Sequence, residues 1–458
     1  MLEVHLHLRV RALNDLPAAG SGEFVVLWLQ GQRRLEQNLA ASHALLRANE
    51  LGKPLVVYEA LRQDYPHASD RFHQFVLEGM VDNAAACASL GLPYAFFLER
   101  PGSPRGVLLQ LSKRAALIVT DWLPAFIHPA QTRKLAARAA CRVEAVDAAG
   151  VAPLGAFPKQ EYAARTLRPK LHKLLPELLK PIPLIRPAVK SKPIEWPFDQ
   201  IAPANALAAI GSCAIDHSVP PVAGRSGGAA AGLKRLRQFV HKQLTGYAEE
   251  RNEPSADATS GLSPYLHFGH VGALQIALAV EKAEAPAADK EAFLEELLVR
   301  RELGLNFAAR CPRHEHYSAA PDWARETLAR HQGDPRPALY TDAELDEART
   351  GDELWNASQR QLRAEGRIHG YLRMLWAKNL IVWSKSGQEA HRRIAWLNDR
   401  YALDGRDAVS STNFLWIFGL HDRPFPERAI FGTVRSMTSG SAMRKLHLSS
   451  YLERWAKN

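Results

Sequence analysis

The sequence predicts an α/β N-terminal domain with a parallel, five-stranded, Rossmann-like sheet, followed by a larger all-α domain. Three features carry this expectation. Short apolar runs alternate with amphipathic segments in the first part of the 458-residue chain, a proline-rich stretch follows, and long amphipathic helical patterns fill the rest. A chain of this length is expected to build more than one core.

The expected strands are FVVLWLQ (24–30), PLVVYEA (54–60), PYAFFLE (93–99), ALIVTDW (116–122) and RVEAVDA (142–148). Each is short, rich in β-branched or aromatic residues, and bounded by polar or turn-forming residues. Between them lie runs with a period near 3.6, such as NLAASHALLRANELG and DRFHQFVLEGMVDNAAACASLG, the second closed by Gly91 as a C-terminal cap. Such alternation implies a mostly parallel sheet covered on both faces, with ligands beyond the strand carboxyl ends. No GxGxxG follows the first strand, so the dinucleotide fingerprint is absent.

From 176 to 228 the prolines of PELLKPIPLIRPAVKSKPIEWPF and the breakers of VPPVAGRSGGAAAG mark a connector. The expected division is therefore an α/β domain over 1–175, a linker over 176–228 and a helical domain over 229–458. The clearest helical runs are AAGLKRLRQFVHKQLTGYAEERN, EAFLEELLVRRELGLNFAAR and NASQRQLRAEGRIHGYLRMLWAKNLIVWSKS.

Hydrophobic residues make up 47% of the chain and charged residues 23%, ordinary for a soluble globular protein, and no apolar run is long enough to span a bilayer. The N-terminal MLEVHLHLRVRAL lacks the apolar core and cleavage site of a signal sequence, which points to the cytoplasm. Cys87, Cys141, Cys213 and Cys311 are far apart, giving no disulfide framework and no metal site. A formal net charge of +10 raises the expectation of a polyanionic partner.

Chemistry-bearing residues cluster in the helical half. TSGLSPYLHFGHVG (259–272) offers Thr259, Ser260, Gly261 and Ser263 ahead of a helical run starting near Val271, donors that suit a phosphate and equally an ordinary helix start. FLEELLVRRELGLNF (293–307) carries Glu295, Glu296, Arg300, Arg301 and Glu302 among leucines. Some of these charges face a cavity on this reading, while others suit a solvated face with i,i+4 pairs. Trp376 and Trp383 are seven residues apart, placing both indoles on one helix face about 10 Å apart. With Trp355, such rings suit stepwise passage of an electron, and they suit core packing as well. In WLNDRYALDGRD (396–407), Asn398, Asp399, Asp404, Arg406 and Asp407 form a polar patch, and Arg373 and Asp404 can pair if helix and loop meet. Last, Trp416 is followed by Arg423, Arg428 and Arg435, an aromatic beside a basic stretch of the kind that binds unstacked bases.

The ordered set SGLSPYLHFGH, FLEELLVRREL, LWNASQ, GRIHGYLRMLWAKNLIVW, LNDRYALDGRD and HDRPFPER resembles the DNA photolyase and cryptochrome superfamily, and within it the class II cyclobutane pyrimidine dimer photolyases. Residues 25–40, ALIVTDW and KQEYAARTLRPKL extend the resemblance over nearly the whole chain. It implies that the helical domain binds FAD, with a second antenna chromophore (deazaflavin or other) in addition. By position, Tyr247, Thr259, Ser260, Gly261, Leu262 and Ser263 would hold the diphosphate region. Arg373 and Asp404 would pair near the flavin ring, Asn398 would lie by N5, and Arg406 would belong to the same set. Trp376 would be nearest the flavin, with Trp355 and then Trp383 leading outward. Glu296 would contact the dimer, Trp416 would stack on it, and Arg300, Arg423, Arg428 and Arg435 would meet DNA.

The implied activity is that of a deoxyribodipyrimidine photo-lyase. Photoexcited reduced FAD passes an electron to a flipped-out dimer, the ring splits and the electron returns. Extrusion of the target is the behaviour general to photolyases. The implied partner is damaged DNA, double- or single-stranded, with the protein a monomer. The alternative implied by the same resemblance is a blue-light receptor of the cryptochrome type without repair activity.

Overall fold

The computed structural model describes residues 2–456 and divides the chain into two compact units. The first comprises Met1–Pro158, Lys170–Arg237 and Leu262–Lys282, and the second Lys159–Pro169, Gln238–Gly261 and Ala283–Asn458.

All five expected strands form, as Phe24–Leu29, Leu55–Leu61, Tyr94–Leu98, Ala115–Asp121 and Arg142–Val146. A sixth, Val10–Ala12, was not expected. Numbering them β1 to β6 in chain order, with Val10–Ala12 as β1, the sheet runs β1-β6-β5-β2-β3-β4. Every pair is parallel except β1 with β6, where Val10 faces Val146 in antiparallel register. The sheet is thus six-stranded and mostly parallel, not five-stranded and parallel throughout. Its added edge is three residues long and carries Arg11, as befits a strand that must not template further pairing. Within MLEVHLHLRVRAL, Leu2–Leu6 is helical and Val10–Ala12 is this strand.

Strands β2 and β5 are buried at every position, which is why their sequences read as unbroken apolar runs. The helix Asp70–Ser89 ends as expected: Gly91 takes a left-handed φ of 66°, and the Leu92 N–H returns to the Cys87 carbonyl. The order of strands reverses between β2 and β5, where an open α/β sheet offers a ligand crevice. Here the Asp121 carboxylate accepts from the backbone N–H groups of Gln30 and Gly31 at 3.2 and 3.0 Å, so those donors are engaged within the protein.

The proline-rich stretch is laid on the first unit rather than left loose. Ile194, Trp196 and Phe198 pack against the sheet core, with Phe198 edge-on to Tyr58 and Phe97. Residues 262–282, which the sequence groups with the helical half, also belong to this unit. They form two helices, Ser263–His267 and Ala273–Glu281, where one run from near Val271 was expected. Gly269, at a φ of 66°, lets the chain approach the Gly31–Arg33 backbone, and Arg34 donates to its carbonyl at 2.8 Å.

Next to it, His270 is buried among Phe75, Tyr265 and Phe268, and its Nδ1 accepts from the Gly228 N–H at 2.9 Å. Burial, helped by the Arg33 and Arg34 charges, brings its imidazole down to about 3 from 6.5. Between those two pH values the unfolded chain takes up a proton that the folded one refuses. Stability therefore falls as pH drops through that window, by at most about 1.4 kcal/mol per pH unit from this group. Acid unfolding of His270→Asn beside the parent should show a shallower slope between pH 6.5 and about 3. An unchanged slope would place the acid sensitivity elsewhere.

The second unit is helical. Among its helices are Arg301–Arg310, Glu353–Glu365, Gly370–Val382, Gly387–Tyr401 and Ala408–Ile417. Asp352, Ser386 and Asp407 cap Glu353–Glu365, Gly387–Tyr401 and Ala408–Ile417 by accepting from the N–H groups of Trp355, Glu389 and Val409 respectively. Gly304 permits close packing of Arg301–Arg310 on Ala408–Ile417, since a Cβ there would lie 3.2 Å from the Val409 Cα. The amphipathic run at 293–307 is not one plain helix. Residues Glu295–Arg300 form a π-helical turn between Ala287–Leu294 and Arg301–Arg310. Such turns shift the helix phase and recur at functional sites. No helix among the described residues is long and apolar enough to cross a membrane.

Candidate functional site

The tryptophans are brought together as a ladder. Trp355 stands on the helix Glu353–Glu365, Trp376 on Gly370–Val382, and Trp383 just past that helix's end. The rings of Trp376 and Trp355 are stacked at 6.1 Å with planes 5° apart, and Trp383 meets Trp355 edge-on at 5.4 Å. Both inner indoles are 1% exposed. Their N–H groups are satisfied, Trp376 donating to Gln359 Oε1 and Trp355 to the Trp376 carbonyl, each at 3.0 Å. These bonds fix the ring planes. Trp383 is also buried, though at 6% it is the most exposed of the three rings. The half-buried Tyr340 lies edge-on to it at 5.1 Å.

One turn before Trp376 on the same helix, Arg373 pairs with Asp404 at 3.1 Å, as expected if helix and loop meet. The Arg373 Nε–H is buried and meets no acceptor among the described residues. Asp404 belongs to the tight segment Asp404–Asp407. There Arg406 holds a left-handed φ of 58°, and its N–H donates to Asp399 Oδ1 at 2.9 Å. A non-glycine residue in that conformation is held by its surroundings, and such residues gather at functional sites. Asn398 is buried and donates from Nδ2 to the same Asp399 oxygen at 3.1 Å. Burial raises the Asp399 carboxyl above its ordinary value, opposed by these two donors.

The polar patch is thus a built, enclosed cluster and not an open surface loop. Sequence reasoning gave no individual role to Asp399, nor to Gln359 on the ladder, which receives the Trp376 N–H. Gln359 sits one turn beyond Trp355, a spacing that could have drawn notice.

Tyr247 opens a short helix and is buried against Phe239 and Phe293. Asp289, not foreseen, anchors this turn by accepting from the N–H groups of Gly246 and Ala248 at 2.9 and 2.8 Å. Thr259, Ser260 and Gly261 are half-buried in this unit, with Gly261 at a φ of 63°. Arg367, ion-paired with Asp257, reaches the Thr259 hydroxyl at 3.4 Å. Leu262 and Ser263, expected in the same strip, fall in the first unit, Leu262 buried and Ser263 exposed.

The π turn sets the acidic and basic residues beside Trp416. Arg300 lies 5.5 Å over the half-buried Trp416 ring and 3.3 Å from Glu295, which also takes a two-pronged bond from Arg168. Glu296 is partly exposed and pairs with Arg251 at 2.8 Å. Lys378, fully buried, donates to the Ile417 carbonyl at 2.5 Å and so closes the end of the helix that carries Trp416. Burial brings its ammonium down to about 7. Arg423, Arg428 and Arg435 are exposed along the stretch after that helix, Arg435 over the Phe425 ring.

The chain resembles known proteins over nearly its whole length. Residues 25–188 match the DNA photolyase family. A deoxyribodipyrimidine photo-lyase of Methanothermobacter thermautotrophicus is 34% identical, covering 97% of this chain and 97% of its own. One from Oryza sativa is 36% identical over 97% of this chain and 89% of its own. The crystal structure of a Synechocystis cryptochrome superposes with a TM-score of 0.72 at 16% identity, covering 94% of this chain and 88% of that one, which shows the shared fold. The chain belongs to the DNA photolyase family. It is an enzyme of the photo-lyase type.

Proposed function

We propose that this protein repairs cyclobutane pyrimidine dimers in DNA with light, using FAD held in the second unit. One observation carries the reading. Arg373, paired with Asp404, and Trp376, the head of the tryptophan ladder, stand one turn apart on the helix Gly370–Val382. A flavin held at that pair would sit on the helix turn that bears the first ring.

The residues suit such a group. The buried Arg373 Nε–H is a donor in want of an acceptor, and Asn398 presents an amide in the same enclosed cluster. Tyr247, with Thr259, Ser260 and Gly261, supplies hydroxyls and backbone N–H groups for the diphosphate, and Arg406 completes the set. Reduced FAD, when bound, supplies under blue light the electron that opens the cyclobutane ring and receives it back. The protein's part is to hold, orient and enclose. Trp416 presents a half-buried ring for the dimer, and Arg300 draws density over that ring as a cation–π partner. Glu296 offers a carboxylate to the bases once it leaves Arg251. Arg423, Arg428 and Arg435 give a positive approach for phosphates. Trp376, Trp355 and Trp383 form the path by which oxidised flavin is reduced again. A second, light-gathering chromophore belongs to this reading, and the absorption spectrum of the purified protein reads it as a band beyond those of FAD.

The test is direct. Photoreduced protein mixed with an oligonucleotide bearing one thymine dimer is expected to restore the absorbance of undamaged bases under blue light only. Binding should weaken steeply with salt, roughly tenfold or more between 50 and 200 mM if several phosphates are met. Flavin-loaded protein that binds the dimer and never reverts it would favour the light-receptor reading.

A further inference from the structure

A second aromatic residue, Tyr162, is linked to Trp416 through one histidine. Tyr162 is 58% exposed, yet it is firmly tied. It belongs to KQEYAARTLRPKL, and residues 159–169 of that run lie within the second unit. Asn306, buried on the helix Arg301–Arg310, grips the run twice, accepting from the Glu161 N–H at 2.8 Å and donating to the Lys159 carbonyl at 3.1 Å. The Tyr162 carbonyl accepts from His421 Nδ1 at 2.6 Å, and its hydroxyl donates to the Asp422 carbonyl at 3.2 Å. His421 in turn stands edge-on to Trp416 at 6.1 Å and to Phe307 at 6.0 Å. One imidazole therefore separates Tyr162 from Trp416.

An exposed tyrosine usually lies on a mobile or solvated surface. This one has its backbone and its hydroxyl fixed while its ring is left open, and Lys159, Arg165 and Arg423 are exposed on the same two segments. An open ring tied through its backbone and hydroxyl, with exposed cations on the same segments, suits an unstacked base beside a phosphate chain. We propose that Tyr162 is a stacking platform for a nucleobase at the rim of the site. This rests on the reading of the protein as a dimer-repair enzyme. The base has two sources: a neighbour of the dimer on the damaged strand, or a base of the opposite strand left without its partner when the dimer leaves the helix.

The experiment compares Tyr162→Ala, Tyr162→Phe and Tyr162→Trp with the parent, each loaded with flavin to the same extent by absorbance. Binding to a fluorescent oligonucleotide with one thymine dimer is followed by anisotropy, single-stranded and in duplex. Loss of the ring in Tyr162→Ala should weaken binding about tenfold, while Phe and Trp should stay within about twofold or bind more tightly. Loss confined to the duplex assigns the base to the opposite strand, and loss in both forms assigns it to the damaged one. Unchanged binding by Tyr162→Ala overturns the proposal. So does a Tyr162→Phe variant as weak as Ala, which would make the hydroxyl a latch on Asp422 and nothing more. A parent protein that does not prefer the dimer over undamaged DNA would remove the repair reading itself, and the proposal with it.

Discussion

Trp376→Phe is expected to slow light-driven reduction of oxidised flavin by roughly two orders of magnitude, equivalent to about 2.7 kcal/mol of added barrier. Phenylalanine is far harder to oxidise than tryptophan, so the first relay is removed and the electron must come from Trp355, one ring farther on. The ladder geometry makes the effect large, because Trp355 lies 6.1 Å beyond Trp376 and has no second parallel neighbour in the described contacts. The variant should still fold. It loses the bond to Gln359 and leaves a small cavity, together about 2 kcal/mol. Protein reduced chemically beforehand should repair dimers at the parent's rate, since the ladder serves only to recharge the flavin. Transient absorption on the variant separates these outcomes. Unchanged photoreduction would mean that the three rings are core packing, which the same burial would also satisfy.

The ladder shows what a sequence can and cannot disclose. The spacing of Trp376 and Trp383 predicts two indoles on one helix face, and the helix ends at Val382, one residue short of Trp383. The five parallel strands were legible because buried parallel strands are written as largely apolar runs. The Arg373–Asp404 pair was legible as two opposite charges awaiting a loop that brings them together. Other features depend on contacts between distant segments. Gln359 sits one turn beyond Trp355, but only the fold shows that the Trp376 N–H points at it. Asp289 has no local signature, because its partners are backbone N–H groups at Gly246 and Ala248. The π turn at Glu295–Arg300 keeps the composition of an ordinary amphipathic helix, so its change of phase leaves no periodic trace. Strand β1 is too short for alternation to distinguish it from a terminal coil. The proline-rich stretch read as a connector because proline reports backbone stiffness, not what Trp196 and Phe198 pack against. Nor does sequence order disclose that residues 159–169 serve the helical unit, since their partners Asn306, Glu295, His421 and Asp422 are more than a hundred residues away.

Asp404→Ala is expected to abolish stable flavin binding, lowering the retained fraction after purification about a hundredfold or more, equivalent to roughly 2.7 kcal/mol. The argument is electrostatic. Arg373 is largely buried, and its guanidinium is balanced by a carboxylate 3.1 Å away. Removing one partner of such a pair leaves an uncompensated charge, which commonly destabilises by about 3 to 5 kcal/mol. The backbone bond at this position is kept, because the Ser410 hydroxyl donates to the Asp404 main-chain carbonyl, which alanine also carries, so the loss reads the carboxylate. Asp404→Asn keeps shape and hydrogen bonding without the charge and should retain an intermediate fraction of flavin. The double variant Arg373→Met with Asp404→Leu removes both charges and should recover most of the thermal stability while still failing to hold flavin. That divergence between melting temperature and flavin content distinguishes a cofactor-holding pair from a purely structural one. If the double variant kept its flavin, the pair would be a scaffold brace and the cofactor would have to lie elsewhere in the helical unit.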